Sequence, residues 1–237
     1  MLHPLFSVYL RRLLPAALMR RLDPFEAAIQ EVVRKAAQAL PAGGRLLDAG
    51  AGEARHGVHF PHGFYVALDS AIGEKCWDYS RLSLLGDLQQ IPLRHQAFDA
   101  ILCIVTLEHI SEPMTVLKEF HRVLRPGGDL WLVTPLLWEE HQAPNDYYRY
   151  TSYGLRHLLS GSHFEIRSLQ AVGGFFQVLA RRCINLLAFF QGGLRRLFFP
   201  ILAPIFGLVL PLLLHGLDGL DRQRQFTLGH VTHAVAR

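Results

Sequence analysis

The sequence predicts an α/β fold built on a doubly wound sheet of mostly parallel strands. Short apolar runs at 45–49, 64–69, 82–85, 98–104 and 129–134 have strand length and alternate with helical patterns. Strands that alternate with helices are joined by crossovers, which lay them parallel and cover both faces of the sheet. The first run ends in Asp48-Ala49-Gly50-Ala51-Gly52, with two glycines where a buried strand must turn sharply and let a ligand approach without a Cβ in the way. The 237 residues, half of them hydrophobic, suffice for one large core with an appendage.

Taken in order, residues 1–22 carry Arg11, Arg12, Arg20 and Arg21 among leucines and aromatics, with no acid. They predict one or two amphipathic helices broken at Pro15, packed either on the domain or on a membrane surface. Asp23-Pro24 is an N-cap with proline at the first helical position, and starts a helix reaching about residue 40. Residues 1–40 therefore form a helical N-terminal part, and 41–237 the main domain. Pro41-Ala42-Gly43-Gly44 ends the helix and leads into the first strand. Helices are expected at 53–60, 71–79 and 113–124. The first of these would present free N–H groups to a ligand. Arg125-Pro126-Gly127-Gly128 stops the third before the fifth strand. Further strands are expected at 163–169 and 226–236, which makes seven.

Net charge is +4, with arginine dominant. That balance suits an anionic membrane surface or nucleic acid but does not demand either. No basic stripe with interleaved aromatics stands out beyond the N-terminus, so a nucleic-acid partner is not expected. Cys76, Cys103 and Cys183 are odd in number and lack CxxC spacing, which argues against disulfides and fits a reducing cytoplasm. Arginines interrupt the N-terminal apolar runs and no small-residue cleavage site follows, so no signal peptide is read. His56, His59 and His62 are spaced by three, but Pro61 should end that helix before His62 and no acid or cysteine completes a set. No metal is expected there.

In doubly wound sheets, ligands sit beyond the carboxyl ends of the strands. Asp48, Asp69 and Asp87 fall at or just past three successive strand ends. Asp69, followed by Ser70, lies about twenty positions past the glycine turn and suits ribose hydroxyls. Asp87 can accept an exocyclic adenine amine, with Leu88 packing on the ring. Each alone reads more readily as a solvated loop acid; the three in register are harder to dismiss. A carboxylate at Asp48 would repel a pyrophosphate, and Arg55 stands where a dinucleotide site has its third glycine. Both features disfavour a nucleotide-dependent oxidoreductase. The Asp48 carboxylate suits a ligand with an amino group or a sulfonium cation.

The glycine turn, Gly86-Asp87-Leu88-Gln89-Gln90-Ile91-Pro92-Leu93, Phe98-Asp99, Leu107-Glu108-His109 and Arg122-Val123-Leu124-Arg125-Pro126-Gly127-Gly128 follow one another in a set order. Over about residues 45–170 the chain closely resembles the type 11 branch of class I S-adenosylmethionine (SAM)-dependent methyltransferases. The resemblance implies a Rossmann-like seven-stranded sheet with an antiparallel last strand, and S-adenosyl-L-methionine as cofactor. It implies that Asp48, Gly50 and Gly52 border the methionine and ribose, that Asp69 binds ribose, and that Asp87 with Leu88 binds adenine. His109 would lie near the reacting methyl group; otherwise it caps the following helix.

After the fifth strand, Glu139-Glu140-His141-Gln142-Ala143-Pro144-Asn145-Asp146-Tyr147-Tyr148-Arg149-Tyr150-Thr151 forms a polar, aromatic-rich loop where an acceptor pocket should form. His141, Asp146, Tyr147 and Arg149 are candidates for acceptor contact. The alternative is a loop satisfied by its own hydrogen bonds. Methyl transfer needs the acceptor held in line with the S–CH₃ bond and water excluded. For a hydroxyl acceptor, His109 or His141 could take the proton.

Residues 197–214, LFFPILAPIFGLVLPLLL, run without a charge between Arg195-Arg196 and His215. One straight helix of this length would span about 27 Å, near the hydrocarbon thickness. A crossing would strand the last β-strand on the wrong side, and Pro200, Pro204, Gly207 and Pro211 offer breaks. Residues 175–217 therefore read as a helical insertion that dips into one leaflet, with Arg181, Arg182, Arg195 and Arg196 at headgroups, or that covers a partner's apolar face. The resulting expectation is a methyltransferase on the cytoplasmic membrane face acting on a lipid, isoprenoid quinone or lipid-linked glycan. The competing one is a non-catalytic scaffold that keeps the fold.

Overall fold

In the computed structural model, residues 14–73 and 76–237 are described. The first thirteen residues of the predicted N-terminal helices lie outside the described residues. The chain divides into two compact units: residues 29–170 with 229–237, and 171–228 with the residues up to 28.

The first unit is the sheet. Its strands are β1 (Arg45–Ala49), β2 (Phe64–Asp69), β3 (Leu84–Leu85), β4 (Phe98–Ile104), β5 (Leu124–Pro135), β6 (Phe164–Val172) and β7 (Gly229–Ala236). They lie side by side in the order β3-β2-β1-β4-β5-β7-β6. The pairs from β3 to β5 are parallel, and β7 runs antiparallel to β5, with Trp131 opposite His233. β1 and β4 are buried on both faces, as the apolar runs Leu46-Leu47 and Ala100-Ile101-Leu102-Cys103 require. Numbered from the first described helix, α1 is Ala16–Leu22, α2 Pro24–Ala39, α3 Pro113–Val123 and α4 Ser152–Gly161. α3 starts on its proline and turns Val116, Leu117, Phe120 and Val123 into the core, the spacing of a single helix face. Those residues meet Leu47, Leu68, Ile101, Leu130, Leu132, Leu155 and Leu159 in one cluster.

Two of the expected helices are not α-helices. The stretch 53–60 is a 3₁₀ turn over Arg55–His59, preceded by Ala54 in the left-handed region at φ 52°. That conformation interrupts α-helical hydrogen bonding, so no long helix offers its N-terminal amides here. At 71–79 the described residues hold no α-helix, and a short 3₁₀ turn, Tyr79–Arg81, begins only at the end of that stretch. Ala71 has φ 56°, and the Asp69 Oδ1 accepts its N–H at 2.7 Å, fixing a tight turn instead. The turn Pro126-Gly127-Gly128 also differs, because β5 begins at Leu124 and carries these residues as a bulge, with Gly127 at φ 78°. β3 is two residues shorter than expected and β7 starts three residues later.

The second unit is helical. Within it, α5 (Phe175–Leu186) packs against α7 (Leu210–Leu217), and α1 packs on α7 as well. Residues Gly193–Leu220 form a 28-residue helical run that includes a 3₁₀ entry, α6 (Phe199–Pro204) and a π-helical stretch at Ile205–Val209. The π-helical stretch follows Pro204, whose missing N–H disturbs the regular ladder. The buried Asp218 carboxylate accepts from the N–H groups of Gly174 and Gln177 at 3.1 Å, and Asp221 accepts from Phe175 at 2.8 Å. These acids, about forty residues away in sequence, cap the N-terminus of α5 and close the hairpin at its base. A Cβ on Gly174 would meet the Asp221 carboxylate at 2.8 Å, so the caps require glycine there.

Gly207, Pro211 and Leu214 face inward, whereas Leu194, Leu197, Ile201, Ile205, Val209, Leu213 and Leu220 are exposed. Their spacing of three to four residues, with one longer gap, puts them on one side of the run. Arg195 and Arg196 are exposed at its start, but Arg181 is 5% exposed and turned inward. The expected headgroup role of Arg181 is therefore corrected. At that point of α5 the inner face belongs to the hairpin interior.

Candidate active site at the strand ends

The glycine turn closes against β2 and the segment after β4. Gly50 sits at φ 77° and donates to the Leu68 carbonyl at 2.9 Å. A Cβ there would fall 2.1 Å from Thr106 Cγ2, and the Thr106 hydroxyl donates to the Gly50 carbonyl at 3.3 Å. Gly52, at φ 53°, donates to Asp69 Oδ2 at 2.9 Å and lies against the Trp77 ring. Asp69 thus braces the loop with one oxygen and the Ala71 turn with the other. Ser70 and Asp87 are exposed, and Asp87 accepts from the Gln89 N–H at 2.8 Å, while Leu88 is buried.

Asp48 is 1% exposed, and the Tyr65 hydroxyl donates to its Oδ2. Burial pushes its pKa up to about 6, against the opposing hydrogen bond from Tyr65. Asp48 is thus a charge held at a cost beneath the turn. Above pH 6 the folded state carries this buried charge, and the cost is relieved as pH falls from about 6 toward the unfolded value near 3.8. Two pKa units correspond to about 3 kcal/mol as an upper bound. Asp48→Asn should therefore raise stability at pH 8 by up to that amount, with the difference shrinking toward pH 4. Urea melts at the two pH values check it, and a variant less stable than wild type at pH 8 would contradict it.

The second constellation joins the end of β4 to the polar loop. Glu108 and His109 lie in a 3₁₀ turn, Leu107–His109. The loop docks on that turn: the Glu108 carbonyl accepts from Tyr147 and Tyr148 N–H at 2.9 and 3.2 Å, and the Tyr150 hydroxyl donates to the Leu107 carbonyl at 2.9 Å. His109 and His141 then meet edge to face, with ring centroids 4.6 Å apart. Asp146 and Arg149 form a two-point ion pair at 2.6 and 2.7 Å. Asp146 also accepts the His141 N–H at 2.9 Å, and Arg149 donates to the Glu139 carbonyl at 2.8 Å. Its bonds to Arg149 hold the Asp146 carboxyl down to about 2. For these two residues the loop is satisfied by its own bonds, whereas Tyr147 is half exposed and donates to Asn145.

Glu108 is fully buried, and neither carboxylate oxygen has a hydrogen-bond partner. Burial pushes its pKa up to about 8. Tyr65, Trp77, Thr106 and Glu108 were not singled out from sequence. Their partners lie 17 to 56 positions away, so local pattern carried no sign of them. The fold also assembles His109 and His141 with an acid, not the evenly spaced His56, His59 and His62.

Residues 47–132, which hold the glycine turn, Asp69, Asp87 and Glu108, match the family described as methyltransferase domain. This segment is a methyltransferase domain. The chain is 36% identical over 91 residues to malonyl-[acyl-carrier protein] O-methyltransferase of Yersinia pestis, covering 35% of this chain and 33% of that one. It is 30% identical over 96 residues to tRNA (carboxymethyluridine(34)-5-O)-methyltransferase of Arabidopsis thaliana, covering 38% and 24%. It therefore spans a quarter to a third of the length of these relatives. In structure it resembles the [4+2]-cyclase SpnF, at TM-score 0.58 and 18% identity over 88% of this chain and 80% of that one. That likeness is one of fold, and the fold supports more than one chemistry. The methyltransferase domain thus sits in a Rossmann-like seven-stranded sheet with its last strand antiparallel to β5.

Proposed function

We propose that the protein is a SAM-dependent methyltransferase that holds to one membrane face and methylates a lipid, isoprenoid quinone or lipid-linked acceptor. Residues 41–237 act as the catalytic domain, with 175–217 as its membrane-associating insertion. Methyl transfer is supported by the family match together with the glycine turn and three carboxylates at or just past the carboxyl ends of adjacent strands β1, β2 and β3. In this reading Asp48, Gly50 and Gly52 border the methionine part of SAM. Asp69 and Ser70 take the ribose, and Asp87 with Leu88 the adenine. The side-chain-free Gly50 and the exposed Ser70 and Asp87 fit such a ligand. Bound SAM supplies an activated methyl group, so the chain's own task is placement and exclusion of water. His109 and His141 stand at the acceptor, where a neutral imidazole can take a hydroxyl proton; burial lowers the pKa of both rings, which keeps them neutral at pH 7. Tyr147 reaches the acceptor, and Asp146 with Arg149 keeps the loop in place.

The observation that carries the membrane reading is the exposed apolar side of Gly193–Leu220, a run long and apolar enough to cross a bilayer. β6 and β7 are neighbours in one sheet, so the chain leaves and re-enters the same sheet around this hairpin. A hairpin tied that way supports entry into one leaflet with both ends on one side. The matched relatives act on different acceptors, so the acceptor class here rests on this element. The lipid acceptor, in turn, is one that a soluble enzyme would meet only at the bilayer surface.

Calorimetry of the purified protein with SAM tests the enzyme reading, and a folded wild type that binds no SAM would sink it. Asp69→Ala should weaken SAM binding by about 1.5–3 kcal/mol, the worth of hydrogen bonds to a charged group. Tyr147→Phe should lower turnover yet leave SAM affinity within about threefold, under 1 kcal/mol. A collapse of SAM affinity in the tyrosine variant would place the loop in the cofactor site instead.

A further inference from the structure

Glu108, His109 and His141 each offer one ligand atom, and these atoms lie within 4.8 Å of one another. The two histidines are oriented by their other nitrogens. His109 Nδ1 stands 2.6 Å from the Asn145 carbonyl oxygen, and His141 Nδ1 stands 3.2 Å from that of Glu139. A carbonyl only accepts, which places the proton on Nδ1. Arg149 Nη2 also stands 3.4 Å from His141 Nδ1, but it donates to the Glu139 carbonyl at 2.8 Å and to Asp146 at 2.7 Å. Asp146 Oδ2 lies 3.5 Å from His141 Nδ1 as a further acceptor. In the neutral ring, each Nε2 then presents a bare lone pair. Both Nε2 atoms are buried, have no hydrogen-bond partner, and lie 3.8 Å from Glu108 Oε1. A fully buried carboxylate without a partner, faced by two lone pairs, is a costly arrangement in a protein interior. A cation at their meeting point would satisfy all three.

We propose that Glu108, His109 and His141 form a binding site for one divalent transition-metal ion of the zinc class. Two imidazole nitrogens and one carboxylate are a donor set that suits zinc and its neighbours, whereas magnesium and calcium prefer oxygen alone. Metal–ligand bonds of about 2.0–2.2 Å put tetrahedral donors roughly 3.3–3.6 Å apart, so the two 3.8 Å separations need to close by less than about half an ångström and the separation of the two Nε2 atoms, within 4.8 Å, by up to about 1.5 Å. The surroundings already supply the outer support such a site needs. Backbone carbonyls fix both ring orientations, and the Asp146–Arg149 pair pins the loop through the His141 N–H. Three protein ligands leave a fourth position for an oxygen of a bound molecule. The turn that holds Glu108 and His109 follows Thr106, which packs on Gly50, so the ion would lie near the proposed methyl-transfer site. There it would act on an acceptor hydroxyl as a Lewis acid, and with both Nε2 lone pairs taken up by the ion it would replace the two rings in the role of base. The ion's binding itself does not rest on the methyl-transfer reading.

The test uses the full chain, free of any polyhistidine tag, stripped with a chelator and then dialysed, with SAM left out. Titration calorimetry with Zn²⁺, and absorbance with Co²⁺ as a spectroscopic stand-in, should show one ion per chain. Glu108→Gln and His141→Gln should each weaken it at least as much as the roughly 10–100-fold lost when outer partners of such sites are removed. His59→Gln should leave affinity unchanged. His141 lies on a loop, so its variant remains informative if Glu108→Gln fails to fold. A folded wild type that takes up no ion, uptake unaltered by both variants, or a site that prefers Mg²⁺ to Zn²⁺ would each overturn the proposal. The first outcome would mean that Glu108 simply keeps its proton. SAM calorimetry on the same stripped protein separates this failure from failure of the methyltransferase reading.

Discussion

Replacing five exposed residues of the apolar run, as Leu197→Glu, Ile201→Lys, Ile205→Glu, Val209→Lys and Leu213→Glu, should move the protein from the membrane pellet to the soluble fraction. All five are 45–74% exposed, so none of them belongs to the buried core. Burying one such side chain in an apolar phase is worth about 1.5–3 kcal/mol, and five of them dominate any modest attachment. The inward residues Pro211 and Leu214 and the Asp218 cap are untouched, so the hairpin should fold. Arg195, Arg196 and the basic residues 1–22 would remain as a weak contact, since two modest attachments hold better than one. SAM affinity should be retained, and activity on a water-soluble acceptor fragment should survive better than activity on the intact lipid. A wild type already soluble and monomeric without detergent would contradict the membrane reading. So would a protease tag after residue 237 that is cut only from outside intact cells.

Gly50→Ala should nearly abolish SAM binding and lower stability by about 2–5 kcal/mol. The new methyl would sit 2.1 Å from Thr106 Cγ2 and 2.5 Å from its hydroxyl oxygen, and the backbone holds φ 77°. A left-handed conformation costs an L-residue roughly 1–2 kcal/mol, and overpacking adds about 1–3. Thr106→Ala removes two of the three clashing atoms, so the double variant should recover part of the loss. A coupling of about 1 kcal/mol or more in that cycle would tie the effect to this contact. Independent, additive losses would show that the turn yields in some other way.

The sheet was legible because its buried strands are continuous apolar runs, such as Leu46-Leu47 and Ile101-Leu102, and such runs need no tertiary context to be read. The helix at α3 was equally plain, since Pro113 starts it and its inward residues repeat at helical spacing. The expected helices at 53–60 and 71–79 failed for a shared reason. Ala54 and Ala71 take positive φ, a choice that side-chain propensity does not announce. At Ala71 the turn is held by the Asp69 carboxylate. The strand-end acids were found by register. The meeting of Glu108 and His109 with His141 was not, because it depends on how the loop after β5 folds back onto the turn after β4. The hairpin showed its length and its lack of charge in the sequence, but the inward turn of Arg181 and the Asp218 cap required the packing to be seen.

One measurement bears most directly on the reading of a membrane-face methyltransferase. Vesicles made from a total lipid extract are incubated with the purified protein and SAM carrying a radiolabelled methyl group, and the organic and aqueous phases are then counted. Label is expected in the organic phase, dependent on wild-type protein and strongly reduced by Asp69→Ala. Label confined to the aqueous phase, or none transferred by a protein that binds SAM, would contradict that reading.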